Sequence, residues 1–268
     1  MIAFIKKLVP PPFRSLLRKV LNLPKLYGSR RYCPVCTRSS QSFISSGIVP
    51  RADACCLWCG ALERHRLFWL YLERMTPTAG PKTGAKFLHI APEGALRGRL
   101  KKMYGAGYIT ADLFADDVDV KMDITKIQYP ADSFDYIYCS HVLEHVADDR
   151  LAMREFRRVL KPGGIAILLV PINAEKTFED PTVTDPRERL RLFGQEDHVR
   201  RYGPDYLQRL QLEGFRATKT SPAQFLTAAE IERMGITEAA GDIFDCRKDA
   251  IDATGRGRPS GDAGNAHA

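Results

Sequence analysis

The sequence predicts an α/β domain on a mainly parallel sheet with helices on both faces, preceded by a small cysteine-rich module. Three observations predict it. Between Phe134 and Ile172 two apolar runs flank an amphipathic helix that closes at Lys161-Pro-Gly-Gly164, which is the pattern of a βαβ unit. Upstream, Phe87–Pro92, Gly107–Asp112 and Val118–Asp123 read as three more strands, with a helix from Glu93 to Met103 after the first. Finally, Cys33-Pro-Val-Cys36 and Cys56-Leu-Trp-Cys59 are two Cys-x-x-Cys turns with 19 residues between them.

The chain begins with a basic arm, residues 1–29. Residues 1–31 hold eight Lys or Arg and no acid, which equals the formal excess of +8, so the rest of the chain is balanced. A broad nucleic-acid-binding surface is not expected, since such surfaces need basic stripes beyond one end of the chain. Phe13, Leu16, Leu17, Val20 and Leu21 share a helical stripe, with Arg14, Arg18 and Lys19 off it. That pattern fits a helix lying on an anionic membrane or docking onto a partner, and it fits equally a helix packed on its own domain or a frayed arm. No apolar run approaches the roughly 20 residues that span a bilayer, and Lys6 and Lys7 interrupt the start. The expectation is a cytoplasmic protein, with peripheral contact at the inner membrane surface as the further reading.

Residues 30–62 read as a zinc ribbon. Each Cys-x-x-Cys turn offers two thiolates, and two turns complete a tetrahedron around Zn²⁺, with Cys33, Cys36, Cys56 and Cys59 as ligands. Four thiolates leave no open position, so the role expected of the metal is structural. Cys55 is a spare thiol that could replace Cys56, whereas Cys139 and Cys246 read as core residues. Residues 63–84 form a linking helix and linker. Glu63-Arg64-His65-Arg66 at the start of that helix reads as a solvated charged face, and Thr76–Gly84 breaks the pattern with Pro and Gly.

The main domain occupies 85–252. After its first three strands, Phe134–Cys139 is strand four, a helix follows from about Leu151 to Leu160, and Ile165–Ile172 is strand five. Asp148 and Asp149 suit the helix N-terminus. Residues 174–203 are polar, an insertion long enough to read as a lid over a site. Pro204–Gly214 reads as a helix, Phe215–Ser221 as strand six and Asp242–Lys248 as a last, antiparallel strand. Residues 253–268 lack apolar spacing and are expected to be disordered.

The stretch His141-Val-Leu-Glu-His145 after strand four, followed by Leu160-Lys-Pro-Gly-Gly164, resembles the middle of class I S-adenosylmethionine-dependent methyltransferases of the type 11 kind, with their Rossmann-like sheet. The resemblance implies that S-adenosylmethionine is held at the strand ends. Asp112 would bind the ribose hydroxyls with Leu113 beside it, Asp123 and Ile124 would flank the adenine, and Ser140 and His141 would close the pocket. A carboxylate at the carboxyl end of a parallel strand is well placed for this by itself. The first loop departs from the family's acidic Gly-x-Gly-x-Gly pattern: it reads His89-Ile-Ala91-Pro-Glu93-Gly94. An acid there would repel a pyrophosphate but tolerates a sulfonium and an ammonium. The same loop resembles that of a bacterial zinc-ribbon-containing subgroup, so His89, Ala91, Glu93 and Gly94 are also taken as cofactor-binding.

The function expected is methyl transfer to an unidentified oxygen or nitrogen nucleophile, a glycan-related small molecule among the candidates. His198, in the polar insertion, and His141 are the candidate catalytic groups, because a histidine accepts protons near neutral pH. Two other classes stay open: a non-catalytic binding module using the ribbon and arm, and a membrane-associated accessory protein of surface-glycan assembly.

Overall fold

The computed structural model describes residues 18–47, 49–75, 84–251 and 257–258. Most of the basic arm, the 76–83 linker and most of the C-terminal tail lie outside the described residues. The chain forms two compact units. One gathers the described residues before Gly80 with Gly94–Arg99 and Ser221–Gly241; the other holds Pro81–Glu93, Leu100–Thr220 and the chain from Asp242.

In the first unit, α1 (Leu23–Leu26) leads into two antiparallel ribbons, β1 (Arg31–Cys33) with β2 (Arg38–Ser40) and β3 (Ile44–Ser46) with β4 (Arg51–Cys55). Helix α2 (Glu63–Arg74) follows, and α7 (Ala228–Arg233) belongs to the same unit. The charged start of α2 departs from the solvated face expected of it: Glu63, His65 and Arg66 are all buried. The reason is that each charge has a partner. Glu63 receives two hydrogen bonds from Arg51, at 3.0 and 3.1 Å. Arg66 donates to the carbonyls of Ala54, Ala61, Met234 and Gly235 at 2.6–2.9 Å and stacks on Phe43. Burying a guanidinium is tolerable only with its donors satisfied in this way. Of the arm, Arg18 and Lys19 lie against Cys55 and Trp58 of the ribbon.

The second unit holds a seven-stranded sheet. Its strands are β5 (Phe87–Ile90), β6 (Tyr108–Asp112), β7 (Val120–Lys121), β8 (Phe134–Ser140), β9 (Leu160–Leu169), β12 (Arg216–Thr220) and β13 (Ile243–Arg247). Their spatial order is β12-β13-β9-β8-β5-β6-β7, with only β13 antiparallel to its neighbours. Between β8 and β9 runs α4 (Asp149–Val159), capped by the Asp148 carboxylate, which accepts from the Leu151 amide at 2.8 Å. Its apolar face, with Met153, Phe156 and Val159, is buried, as the helical spacing predicts. The Pro-Gly-Gly turn is absorbed into β9 as a bulge, since Phe134 pairs with Leu160 while Tyr136 pairs with Ile165. Only glycine fits at 164, where a Cβ would lie 2.8 Å from the Lys161 carbonyl.

The insertion is structured. It holds β10 (Phe178–Glu179) paired with β11 (Arg200–Arg201), and between them α5 (Pro186–Phe193). Helix α5 has Asp185 as its N-cap, Pro186 in its first turn and Gly194 at φ +90° to end it. After it comes α6 (Tyr206–Leu212). Buried Arg200 fixes the insertion to the loop after β8, donating to the carbonyls of Leu143, Val146 and Ala147 and to Glu179. Asp149 collects Tyr202 at 2.6 Å and Arg209 at 2.8 Å at the same place. The lid expected from the sequence is thus anchored along one edge by a buried ionic network. Cys139 and Cys246 are buried core thiols, as expected, and burial pushes both well above the ordinary thiol range.

Candidate active site and cysteine cluster

Because β5, β6 and β8 run parallel, their carboxyl ends fall on one edge of the sheet, with Ile90 opposite both Ala111 and Cys139. Asp112 ends β6. Its Oδ1 accepts from the amides of Phe114 and Ala115, both at 2.7 Å, so the carboxylate also holds its own turn. Beyond it the side chains of Leu113 and Phe114 are exposed. Asp123 similarly caps a turn through Thr125, at 2.8 Å to the amide and 2.7 Å to the hydroxyl, while Ile124 is buried. Ser140 ends β8 with a buried Oγ that has no hydrogen-bond partner. His141 follows in the left-handed region, φ +55°, its amide donating to the Leu169 carbonyl at 2.8 Å.

The glycine-poor first loop is built on a different device. His89 is fully buried: one ring nitrogen is 2.8 Å from the Tyr108 hydroxyl and the other 2.7 Å from Glu93. With both nitrogens engaged, His89 ties the Tyr108 hydroxyl to Glu93 of the first loop. Ala91 takes φ +46°, an uncommon conformation for a residue with a Cβ, and its amide donates to the Ala111 carbonyl at 2.8 Å. Gly94 opens α3 (Gly94–Tyr104) with open space where a Cβ would stand; it is grouped with the other compact unit.

The two candidate catalytic histidines differ in setting. His141 is one-third exposed, with Nδ1 3.4 Å from Glu144. His198 is buried, its Nδ1 3.2 Å from the Phe193 carbonyl and its ring centroid 4.6 Å from that of His145. Burial, reinforced by His145, lowers the pKa of His198 and favours the neutral imidazole. His145 is 3.1 Å from Asp197. The loop after β8 and the insertion therefore bring together Glu144, His145, Asp197 and His198, a grouping whose members come from distant parts of the sequence.

In the first unit the four expected cysteines converge. Cys33 and Cys59 Sγ are 3.7 Å apart and Cys36 and Cys56 Sγ 3.8 Å, and all four lie within 4.8 Å of one another. A tetrahedron with metal–sulfur bonds of about 2.3 Å has edges of about 3.8 Å. The two turns are built alike: Thr37 donates to the Cys33 carbonyl at 2.8 Å and Gly60 to the Cys56 carbonyl at 2.9 Å. Cys55 is outside the cluster, donating instead toward the Cys56 and Gly60 carbonyls.

Among the described residues no helix is long and apolar enough to cross a membrane. A methyltransferase-domain family model matches residues 102–168. The ubiquinone/menaquinone biosynthesis C-methyltransferase of Bdellovibrio bacteriovorus is 27% identical over 117 residues, 37% of this chain and 50% of that protein. A 2-methyl-6-phytyl-1,4-hydroquinone methyltransferase of rice (Oryza sativa subsp. japonica) is 27% identical over 131 residues, 41% of this chain and 40% of that one. The chain thus spans half or less of the length of these curated relatives. Among solved structures, an S-adenosylmethionine-dependent methyltransferase from Mesorhizobium loti aligns with a TM-score of 0.46 at 18% identity, covering 68% of this chain and 98% of that one. Counted along the domain, the strands of the sheet stand in the order third, second, first, fourth, fifth, seventh, sixth, with the seventh reversed. That order is the class I methyltransferase fold, and the methyltransferase-domain model falls within it, over residues 102–168.

Proposed function

We propose that the chain transfers the methyl group of S-adenosylmethionine to a hydroxyl or amine of a small acceptor. The observation that carries this is the convergence of Asp112, Asp123, Ser140 and His141 at one edge of a sheet with the methyltransferase strand order. Asp112 would hold the ribose, Leu113 and Phe114 with Asp123 and Ile124 the adenine, and the loop of Ala91 and Glu93 the amino-acid end. When bound, the cofactor supplies an electrophilic methyl carbon. The chain's own work is then to align the acceptor in line with that carbon and to exclude water. Partial exposure beside Glu144 supports His141 as the group that takes the acceptor's proton.

Four thiols with tetrahedral edge lengths suit Zn²⁺, and we infer that Cys33, Cys36, Cys56 and Cys59 hold one ion in a structural role. The relatives' names point to quinone rings, so carbon nucleophiles of that class belong in the acceptor screen beside hydroxyls and amines. Calorimetry with S-adenosylmethionine and its demethylated product tests the reading. Binding of both is expected, and Asp112→Asn should lose about 1.5 to 3 kcal/mol of it, the scale of hydrogen bonds to a charged group. The asparagine keeps an acceptor oxygen for Phe114 and Ala115, so the turn survives. No heat of binding at millimolar ligand would end the enzyme reading.

A further inference from the structure

Two buried polar atoms in the loop after β8 and the insertion have no hydrogen-bond partner: Nε2 of His198 and Oε2 of Glu144. Both side chains are more than nine-tenths buried, at 4% and 2% exposure. A buried acceptor left without a donor costs about 1–3 kcal/mol, and two in one cluster call for a shared positive partner. His145 completes the group, with one ligand atom from each of the three residues within 4.8 Å of the others.

The outer hydrogen bonds point the same way. A histidine that binds metal through one ring nitrogen ordinarily donates the other N–H to a carbonyl or carboxylate, which fixes its tautomer. Here His198 Nδ1 lies 3.2 Å from the Phe193 carbonyl and His145 Nδ1 lies 3.1 Å from Asp197. Each contact leaves Nε2 as the coordinating atom. The frame that carries them is fixed: the Val199 amide donates to the Glu144 carbonyl at 2.9 Å, and Arg200 grips the Leu143 and Ala147 carbonyls at 2.7 and 2.8 Å.

We propose that Glu144, His145 and His198 form a metal centre for a divalent cation of the zinc class, bound by two imidazole nitrogens and one carboxylate oxygen. Its donor set is unlike that of the four cysteines, and three protein ligands leave a position open to water or to an oxygen of a second ligand. The proposal does not depend on the methyltransferase activity.

The test uses the full chain equilibrated by dialysis against micromolar Zn²⁺, with metal counted by elemental analysis. Two zinc ions per chain are expected, and one per chain in His198→Ala and in Glu144→Gln. Asp197→Asn, which alters only the outer partner of His145, should weaken the second ion 10- to 100-fold. Cobalt substitution separates the centres: cysteine thiolates give intense charge-transfer absorption, and the nitrogen and oxygen site gives weak ligand-field bands alone. The His198→Ala protein should keep the first spectrum and lose the second, which also reports that it has folded. A wild-type count of one, a second ion that survives both ligand substitutions, or cobalt spectra showing thiolate bands alone at every metal ratio would overturn the assignment.

Discussion

The cysteine cluster and the Glu144–His145–His198 cluster are built by opposite means. In the first, two short turns each present a pair of thiols on hydrogen bonds of their own, Thr37 to Cys33 and Gly60 to Cys56. The second has no local motif of that kind: Glu144 and His145 come from the loop after β8, and His198 is brought to them by a two-stranded, helix-containing insertion. Each neighbourhood also has a buried arginine that spends its donors on backbone carbonyls, Arg66 in the first unit and Arg200 in the second. The lesson is one of scale. The cysteine site is closed by its own turns, whereas the site assembled from distant segments rests on a frame held by Arg200.

The strongest test of this contrast is removal of a ligand from each cluster. Structural zinc contributes on the order of 10 kcal/mol to small metal-dependent folds. Cys56→Ser should therefore cost one zinc and release the 30–62 region, seen as full amide exchange there while the strands β5, β8 and β9 stay protected. Equal protection of 30–62 in wild type and variant would show that the ribbon's own packing suffices. His198→Ala should leave both regions protected, since the sheet of the second unit has a core of its own.

Next in size are the arginines. Arg66→Met takes one donor away from each of four carbonyl acceptors, and a loss of about 3 to 5 kcal/mol in denaturant unfolding is expected, on the scale of breaking a buried charge network. Arg200→Met strips the loop after β8 in the same way and leaves Glu179 with Arg209 as its partner. Its expected loss is similar, but with a second consequence: the affinity for the second zinc ion should fall as well. If that affinity is unchanged, the frame is not what holds the cluster.

How much of this was legible in the sequence follows the same division. The clustering of the four cysteines and the strands β5, β6, β8, β9 and β13 can be read from spacing because their determinants are local. Asp185, Pro186 and Gly194 marked α5 just as clearly, as N-cap, first-turn proline and terminating glycine, yet the polar composition of the insertion concealed it. The burial of Glu63, His65 and Arg66 was not legible, since Arg66 is satisfied partly by carbonyls of Met234 and Gly235, about 170 positions away in the chain. The segment 221–241 likewise gave no local sign that it belongs with the first unit. His198 stood out as a histidine in a polar segment; its burial, and its meeting with Glu144 and His145, depend on tertiary structure alone.

The smallest expected effect concerns Glu230 and tests whether the first unit's surface charges add to what its cysteines and Arg66 supply. Arg74 hydrogen-bonds the Glu230 carboxylate at 2.6 Å and, with the Thr227 amide, holds its pKa down to about 2. The carboxylate also closes the capping box at the start of α7. Since the folded value is depressed below the ordinary 4.5, the folded state gains stability above that value and loses it as pH falls toward 2. Both side chains are about one-third exposed, so solvent screening limits the contribution to about 1 kcal/mol or less. Glu230→Gln should accordingly lower stability by that amount at pH 7 and by nothing measurable near pH 2, compared with wild type in parallel urea titrations. A deficit of the same size at both pH values would assign the effect to the capping geometry rather than to charge.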